Sequence, residues 1–144
     1  MNLSRFGKCT RVSNAAAAAT TDVTSSSVDM QGFDSVTFYV SMGAIVAGAV
    51  TSVHAEQSAD DSSFADLEGT NITIADDDDN QVVILEIEQP SDRYVRVIVD
   101  RATQNATVDS IVAIQTKANK EPVTHDATTV VGAEYHLNPS EGTI

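Results

Sequence analysis

Residues 74–80, IADDDDN, place four consecutive aspartates just before the most apolar segment of the chain, QVVILEIE. Asp76, Asp78 and Asn80 match the first three ligand positions of a D-x-D-x-N calcium loop. The match then fails, because glutamine replaces the turn glycine at position six and isoleucine replaces the bidentate glutamate at position twelve. We interpret the cluster as a solvated hairpin loop whose charges protect an aggregation-prone strand. A calcium site assembled with other loops is an alternative, with candidate ligands Asp60, Asp61 and Asp66.

A second candidate for chemistry is the carboxylate pair Glu86 and Glu88, two residues apart on a predicted strand. Such residues share a face at roughly 6–7 Å, which overlaps the separations that glycosidases use. Any i, i+2 pair on a strand has this spacing, and the chain has no tryptophan and few other aromatic residues to stack a sugar. We therefore interpret the pair as part of an exposed strand face.

The remaining reactive residue types also lack the spacing of a site. His54, His125 and His136 show no i, i+2 or i, i+4 histidine pair of the kind that clamps a metal. Cys9 is the only cysteine, which excludes an internal disulfide and a thiolate cluster. Neither a G-x-S-x-G nucleophile elbow nor a glycine-rich phosphate loop occurs. The sequence thus predicts no enzyme, no cofactor and no metal site.

Charge is distributed unevenly along the 144 residues, whose formal net charge is −13. Arg5, Lys8 and Arg11 form a basic start that contains no acid, so the rest of the chain carries five basic and 21 acidic residues, or −16. A body this acidic repels phosphate backbones and anionic lipid, which argues against nucleic-acid or membrane-surface binding. No run approaches the ~20 apolar residues that cross a bilayer. The basic start and alanine run also lack the continuous apolar stretch of a secretory signal.

Alternation with a period of two dominates the centre of the chain and predicts β-strands. In DSVTFYVSMG and RYVRVIVD, valine and phenylalanine alternate with polar residues, and AVTSVHAEQS, QVVILEIE and ATVDSIVAIQT complete five clear strands. SSVDM, SFADL and NITI are weaker candidates. Turn-forming segments recur about every ten residues, as in antiparallel sandwiches and barrels. The sequence therefore predicts an all-β fold, either an antiparallel β-sandwich or a jelly-roll-like barrel, with extended N- and C-terminal arms.

The two ends differ from this centre in composition. We predict an N-terminal arm at 1–26, a β-sandwich body at 27–116 and an extended C-terminal tail at 117–144. The alanine run at 15–19 is short and flanked by threonine and serine, and is expected to lie in the arm or a loop. The tail has apolar residues but no sustained alternation, which is typical of a segment that docks on another surface.

Four segments of the chain resemble a group of small tailed-bacteriophage virion proteins: SSVDMQGFDSVTFYVSMG, HAEQSADDSSFADLEGT, SDRYVRVIV and KEPVTHDATTVVGAEYHLNPSEGT. The resemblance runs from about Cys9 to the end and implies a capsid decoration, or cement, protein. It implies a non-enzymatic role on the outer surface of the virion capsid, with the major capsid protein as partner. It also implies homo-oligomerisation, with a trimer at a three-fold position favoured.

Under this interpretation the two ends are the clamps that hold neighbouring shell subunits. The expected partner-binding residues are Arg5, Lys8, Arg11, Val130, Val131, Tyr135 and Leu137. Two other classes of function stay open. One is a carbohydrate- or calcium-binding β-sandwich module, and the other is a structural protein of the phage tail or neck.

Overall fold

Eleven β-strands and one short helix make up the regular structure of residues 2–143 in the computed structural model, while Met1 and Ile144 lie outside the described residues. In chain order they are α1 (Leu3–Phe6), β1 (Lys8–Ser13), β2 (Ala16–Ala19), β3 (Val23–Thr24), β4 (Val28–Asp29), β5 (Phe33–Ile45), β6 (Val50–Ser58), β7 (Ala65–Asp66), β8 (Ile72–Ile74), β9 (Val82–Glu88), β10 (Tyr94–Ala102) and β11 (Ala106–Ala118). Within residues 2–143, no helix has the length and apolar character needed to span a membrane.

The strands form two antiparallel sheets that pack face to face. The first sheet has the order β1-β11-β5-β9, and β2 also pairs with β11. The second sheet has the order β3-β10-β6-β7, with β4 on β10 and β8 on β6. The predicted all-β antiparallel sandwich is confirmed. A strand is found at each of the eight segments that were predicted from the sequence, the five clear ones and the three weaker ones.

The core lies between the sheets and follows the period of two. On β5, Val36, Phe38 and Val40 are completely buried, and on β10 the alternate valines from Val95 to Val99 are buried from the other side. The register places Phe38 between Leu85 of β9 and Ala113 of β11. Because a one-residue slip would turn these side chains to solvent, the apolar pattern fixes the strand register.

The structure differs from the expectation of a separate N-terminal arm at 1–26. β1 and β2 both pair with β11, and β3 pairs with β10, so this segment contributes to both sheets. Strand pairing at a sheet edge uses backbone N–H and C=O groups, and therefore needs no alternating apolar side chains. That is why the alanine run forms β2 despite its uniform composition. At the other end, β11 continues to Ala118, two residues beyond the predicted body.

Arg101 of β10 fastens this N-terminal segment to the sandwich. Its side chain is 5% exposed and donates hydrogen bonds to the carbonyl oxygens of Thr21, Ala17 and Ala106 at 2.5, 2.9 and 2.7 Å. Its backbone N–H donates to the carboxylate of Asp22 at 3.1 Å. Burial lowers the pKa of the Arg101 guanidinium, and the Asp22 carboxylate acts in the opposite direction. The guanidinium thus connects β10 of the second sheet with β2 and β11 of the first.

We expect Arg101→Met to lower the free energy of unfolding by about 1–3 kcal/mol, because the buried carbonyl groups lose their donors. Arg11→Met is the matched control, since exposed Arg11 makes one hydrogen bond, to the Ser13 carbonyl at 3.4 Å. Its change should stay within about 0.5 kcal/mol. Urea denaturation measures both values. Equal stability of Arg101→Met and the wild type would show that the guanidinium does not hold the segment.

Candidate partner-binding surface

The three predicted cationic residues lie at the start of the chain in different environments. Arg5 is exposed in α1, and Arg11 is exposed on β1. Lys8 is half-buried, with its Nζ 5.9 Å from the centre of the Phe33 ring. The structure therefore presents two guanidinium groups to solvent and holds the ammonium group near an aromatic face, where a cation is attracted to the ring.

The segment 119–143 contains neither strand nor helix and divides into two parts. The proximal tail, residues 119–130, folds back on the N-terminal residues and begins with a hydrogen bond from the Asn119 N–H to the Gly32 carbonyl at 2.8 Å. The distal tail, residues 131–143, is exposed throughout. The first part is thus connected to the sandwich by hydrogen bonds, and the second is exposed, although its residues 132–134 line a cleft beside the N-terminal segment.

His125 is the main polar contact of the proximal tail. Its Nδ1 accepts a hydrogen bond from the Cys9 N–H at 3.1 Å, so its Nε2 carries the proton and donates to the Ser4 carbonyl at 2.8 Å. Two residues earlier, the Val123 N–H donates to the Arg5 carbonyl at 2.8 Å. These three bonds join the proximal tail to α1 and β1.

The four predicted apolar anchors of the tail divide between its two parts. Val130 is half-buried and lines a cleft of about 380 Å³ next to Cys9 and His125. Val131, Tyr135 and Leu137 are 109%, 51% and 85% exposed. The structure therefore brings Val130 to the N-terminal segment, leaves Val131 and Leu137 largely in solvent and covers about half of Tyr135.

The acidic loop is exposed or half-buried, as the predicted solvated loop requires, but it is not a hairpin, because it connects β8 of the second sheet with β9 of the first. The Asp79 carboxylate accepts a hydrogen bond from the Ile45 N–H at 2.6 Å, and that of Asp76 accepts one from the Gly48 N–H. Two of its carboxylates thus bind the turn between β5 and β6. The reason is that these N–H groups lie beyond the end of a ladder and need acceptors, which the neighbouring loop supplies.

Two candidate calcium ligands of this loop, Asp78 and Asn80, belong to local turns instead. Asp78 accepts from the Ala75 N–H at 2.9 Å and from the Gln81 side-chain amide at 3.1 Å, as in a local turn. Asn80 has a φ of 59° and belongs to the turn that precedes β9. Among the residues that the structure describes, the group of metal-ligating side chains close enough to share an ion is not in this loop. It lies on the second sheet.

Glu86 and Glu88 lie on the outer face of β9, as predicted, and each has its own partner. Glu86 accepts a hydrogen bond from the buried Ser35 hydroxyl at 2.9 Å. Glu88 forms an ion pair with Lys117 of β11, and this carboxylate raises the pKa of the Lys117 ammonium. The two carboxylates therefore have separate structural contacts.

A cluster of one histidine and two carboxylates on the outer face of the second sheet was not identified from the sequence. His54 and Glu56 of β6, with Asp66 of β7, offer one ligand atom each within 4.8 Å of one another. The spacing of His54 and Glu56 is visible in the sequence as an i, i+2 pair. The contribution of Asp66 depends on the β6–β7 register, which no local pattern reveals.

These features define the class of the protein as a two-sheet antiparallel β-sandwich with a solvent-exposed C-terminal tail. Its fold is similar to that of the crystal structure of PBSX exported protein XepA, with a TM-score of 0.56 and 16% identity. The match covers 98% of this chain and 47% of that chain, so the present chain spans about half the length of its neighbour. At this identity the likeness concerns the fold alone. No family model and no curated protein matches the chain.

We predict that His125→Ala frees the proximal tail, because it removes the bonds to Cys9 and Ser4. The measurement is trypsin cleavage after Lys120, which should become several-fold faster while the melting transition stays cooperative. His136→Ala is the matched control, since exposed His136 forms a local hydrogen bond with Glu134, two residues earlier, at 2.8 Å. Equal cleavage rates for wild type and His125→Ala would contradict the docking role of His125.

Proposed function

We propose that this protein is a non-enzymatic structural component of a tailed-phage particle that binds and stabilises the capsid shell as a decoration protein. The observation that carries the proposal is the distal tail, whose apolar side chains Val131, Tyr135 and Leu137 are exposed beside a well-packed body. Exposed apolar groups of this kind are typical of segments that bury them on a partner. The partner proposed is the major capsid protein.

The fold likeness supports the general class of this proposal. XepA is a phage protein, and its chain contains a sandwich like the one described here. A phage structural role agrees with that likeness and with the resemblance noted in the sequence. The position on the outer surface of the capsid rests on the chemistry of the tail and on the acidic body, which would face solvent.

The energetics of the distal tail favour repeated, individually weak contacts. Burying a valine, leucine or aromatic side chain contributes about 1.5–3 kcal/mol, whereas ordering each tail residue costs about 1–2 kcal/mol of backbone entropy. A single tail of this size therefore gains little net free energy on docking. Many copies on one symmetric shell gain strength through multivalency, and self-association as a trimer at a three-fold position would supply it.

The cationic start of the chain supplies the second part of the proposed contact. Arg5 and Arg11 are exposed, and the proximal tail places the origin of the distal tail next to the same N-terminal segment. Cationic and apolar groups thus lie at one end of the molecule. A groove of the capsid shell with acidic rims and an apolar floor would be complementary to these cationic and apolar groups. Lys8 would lie at the border of that contact.

A second candidate follows from the description of XepA as an exported protein. On this alternative the chain leaves the cell without joining the particle. Gradient-purified particles distinguish the two, because a decoration protein co-migrates with capsids and a free exported protein stays in the supernatant.

A tail or neck position, the other structural alternative, predicts co-migration with isolated tails. A calcium- or carbohydrate-binding module predicts a ligand-dependent rise in melting temperature.

We expect the triple variant Val131→Ser, Tyr135→Ser, Leu137→Ser to lose at least ~10-fold in affinity for capsids that lack the native copy, since even 1.4 kcal/mol of lost apolar burial has this effect. Its melting temperature should not change, because all three side chains are exposed. Co-sedimentation with purified capsids measures the binding.

The matched control is Val82→Ser with Ile84→Ser, which changes two exposed apolar residues of β9 on the opposite edge of the first sheet from β1. We expect this control to bind capsids like the wild type. Wild-type binding by the triple variant would contradict the proposal that the distal tail forms the contact.

A further inference from the structure

The outer face of the second sheet brings together three metal-ligating side chains. His54 and Glu56 point outward from β6, and the β6–β7 register places Asp66 directly opposite Glu56. Two carboxylates directly opposite one another on adjacent strands repel, so a cation between them is favoured. His54 Nε2 lies 3.4 Å from Asp66 Oδ1. One ligand atom of each of these three side chains therefore lies within 4.8 Å of the other two.

One separation matches that between two ligands of a tetrahedral zinc ion. With metal–ligand bonds of about 2.0–2.1 Å, two tetrahedral ligand atoms lie roughly 3.3–3.4 Å apart. The distance between His54 and Asp66 has this value, whereas Glu56, within 4.8 Å of both, would move closer to complete the set. One nitrogen and two oxygen ligands suit Zn²⁺, whereas Ca²⁺ requires six to eight oxygen atoms.

The groups behind these ligands have the arrangement that orients metal ligands in proteins. Asp100 of β10 accepts a hydrogen bond from His54 Nδ1 at 2.8 Å, so Nε2 is the ring nitrogen that faces Asp66. Arg96 donates a hydrogen bond to the Oε2 atom of Glu56 at 2.6 Å, which orients this carboxylate. Hydrogen-bonded histidine and carboxylate ligands of this kind are found around protein zinc sites.

The geometry points to a Zn²⁺ site formed by His54, Glu56 and Asp66, with Asp100 as the residue that positions the imidazole. A cleft of about 290 Å³ lies in front of His54 and Asp66 and is also lined by Glu68 and Asn71, so the ion reaches the ligands from solvent. Three protein ligands leave one coordination position for water or a partner side chain. The site lies apart from the distal tail and does not depend on the proposed function.

A cluster held by side-chain contacts alone is the competing interpretation. His54 lies 2.8 Å from Asp100 through Nδ1 and 3.4 Å from Asp66 through Nε2, and these contacts would hold the side chains without a metal. The two interpretations differ in a measurable way. A cluster held by such contacts alone takes up no stoichiometric Zn²⁺, whereas the proposed site takes up one equivalent.

The experiment titrates the chelator-stripped full chain with Zn²⁺ at neutral pH by isothermal calorimetry and by competition with a chromophoric chelator. We expect one equivalent to bind the wild type and to raise its melting temperature, with reversal by chelator. Asp66→Asn should weaken binding at least ~10-fold without unfolding, because its side chain is 77% exposed. His54→Ala should abolish binding, and Asp100→Asn should weaken it by about 10–100-fold.

Two control variants remove an acidic and an imidazole side chain that lie outside the proposed site. Asp77→Asn changes an exposed aspartate of the acidic loop, and His136→Ala changes an exposed histidine of the distal tail. Both should bind Zn²⁺ like the wild type. The inference is overturned if the wild type takes up no stoichiometric Zn²⁺, or if Asp66→Asn and His54→Ala bind it as tightly as the wild type.

Discussion

A buried guanidinium, that of Arg101, imposes the arrangement on which the rest of the sandwich depends. Arginine keeps its charge in proteins and carries five N–H donors, so burial requires acceptors close by. Here backbone carbonyls at Ala17, Thr21 and Ala106 supply them. Since Arg101 belongs to the second sheet and β2 and β11 to the first, meeting this requirement draws the N-terminal segment across the junction of the sheets.

This constraint explains why the two ends of the chain have different roles. The N-terminal residues become strands of the body, and His125 then joins the proximal tail to them. Many polar side chains outside the core form hydrogen bonds within the protein. Asp76 and Asp79, for example, accept hydrogen bonds from backbone N–H groups at the β5–β6 turn. In the distal tail, by contrast, large apolar side chains such as Leu137 are exposed. We therefore propose that this segment binds a partner.

The parts of the structure that could be predicted from the sequence are those with a local pattern. Val36 and Phe38 alternate with polar residues, and this alternation locates β5 and its buried face. β2 has no such signal, because its alanines are held through backbone pairing and Arg101. The contacts of Asp79 and of Asp66 likewise depend on strands and turns distant in sequence, so composition alone could not reveal them.

We propose that the protein occupies the outer surface of a phage capsid through its distal tail. The most direct test is cryo-electron microscopy of purified particles with and without this protein, compared as a difference map. We expect additional density at symmetry-related positions on the outer face of the shell, with a connection to the shell at the tail end of each sandwich. Difference density confined to the tail or neck, or particles that contain no copy of the protein, would contradict it.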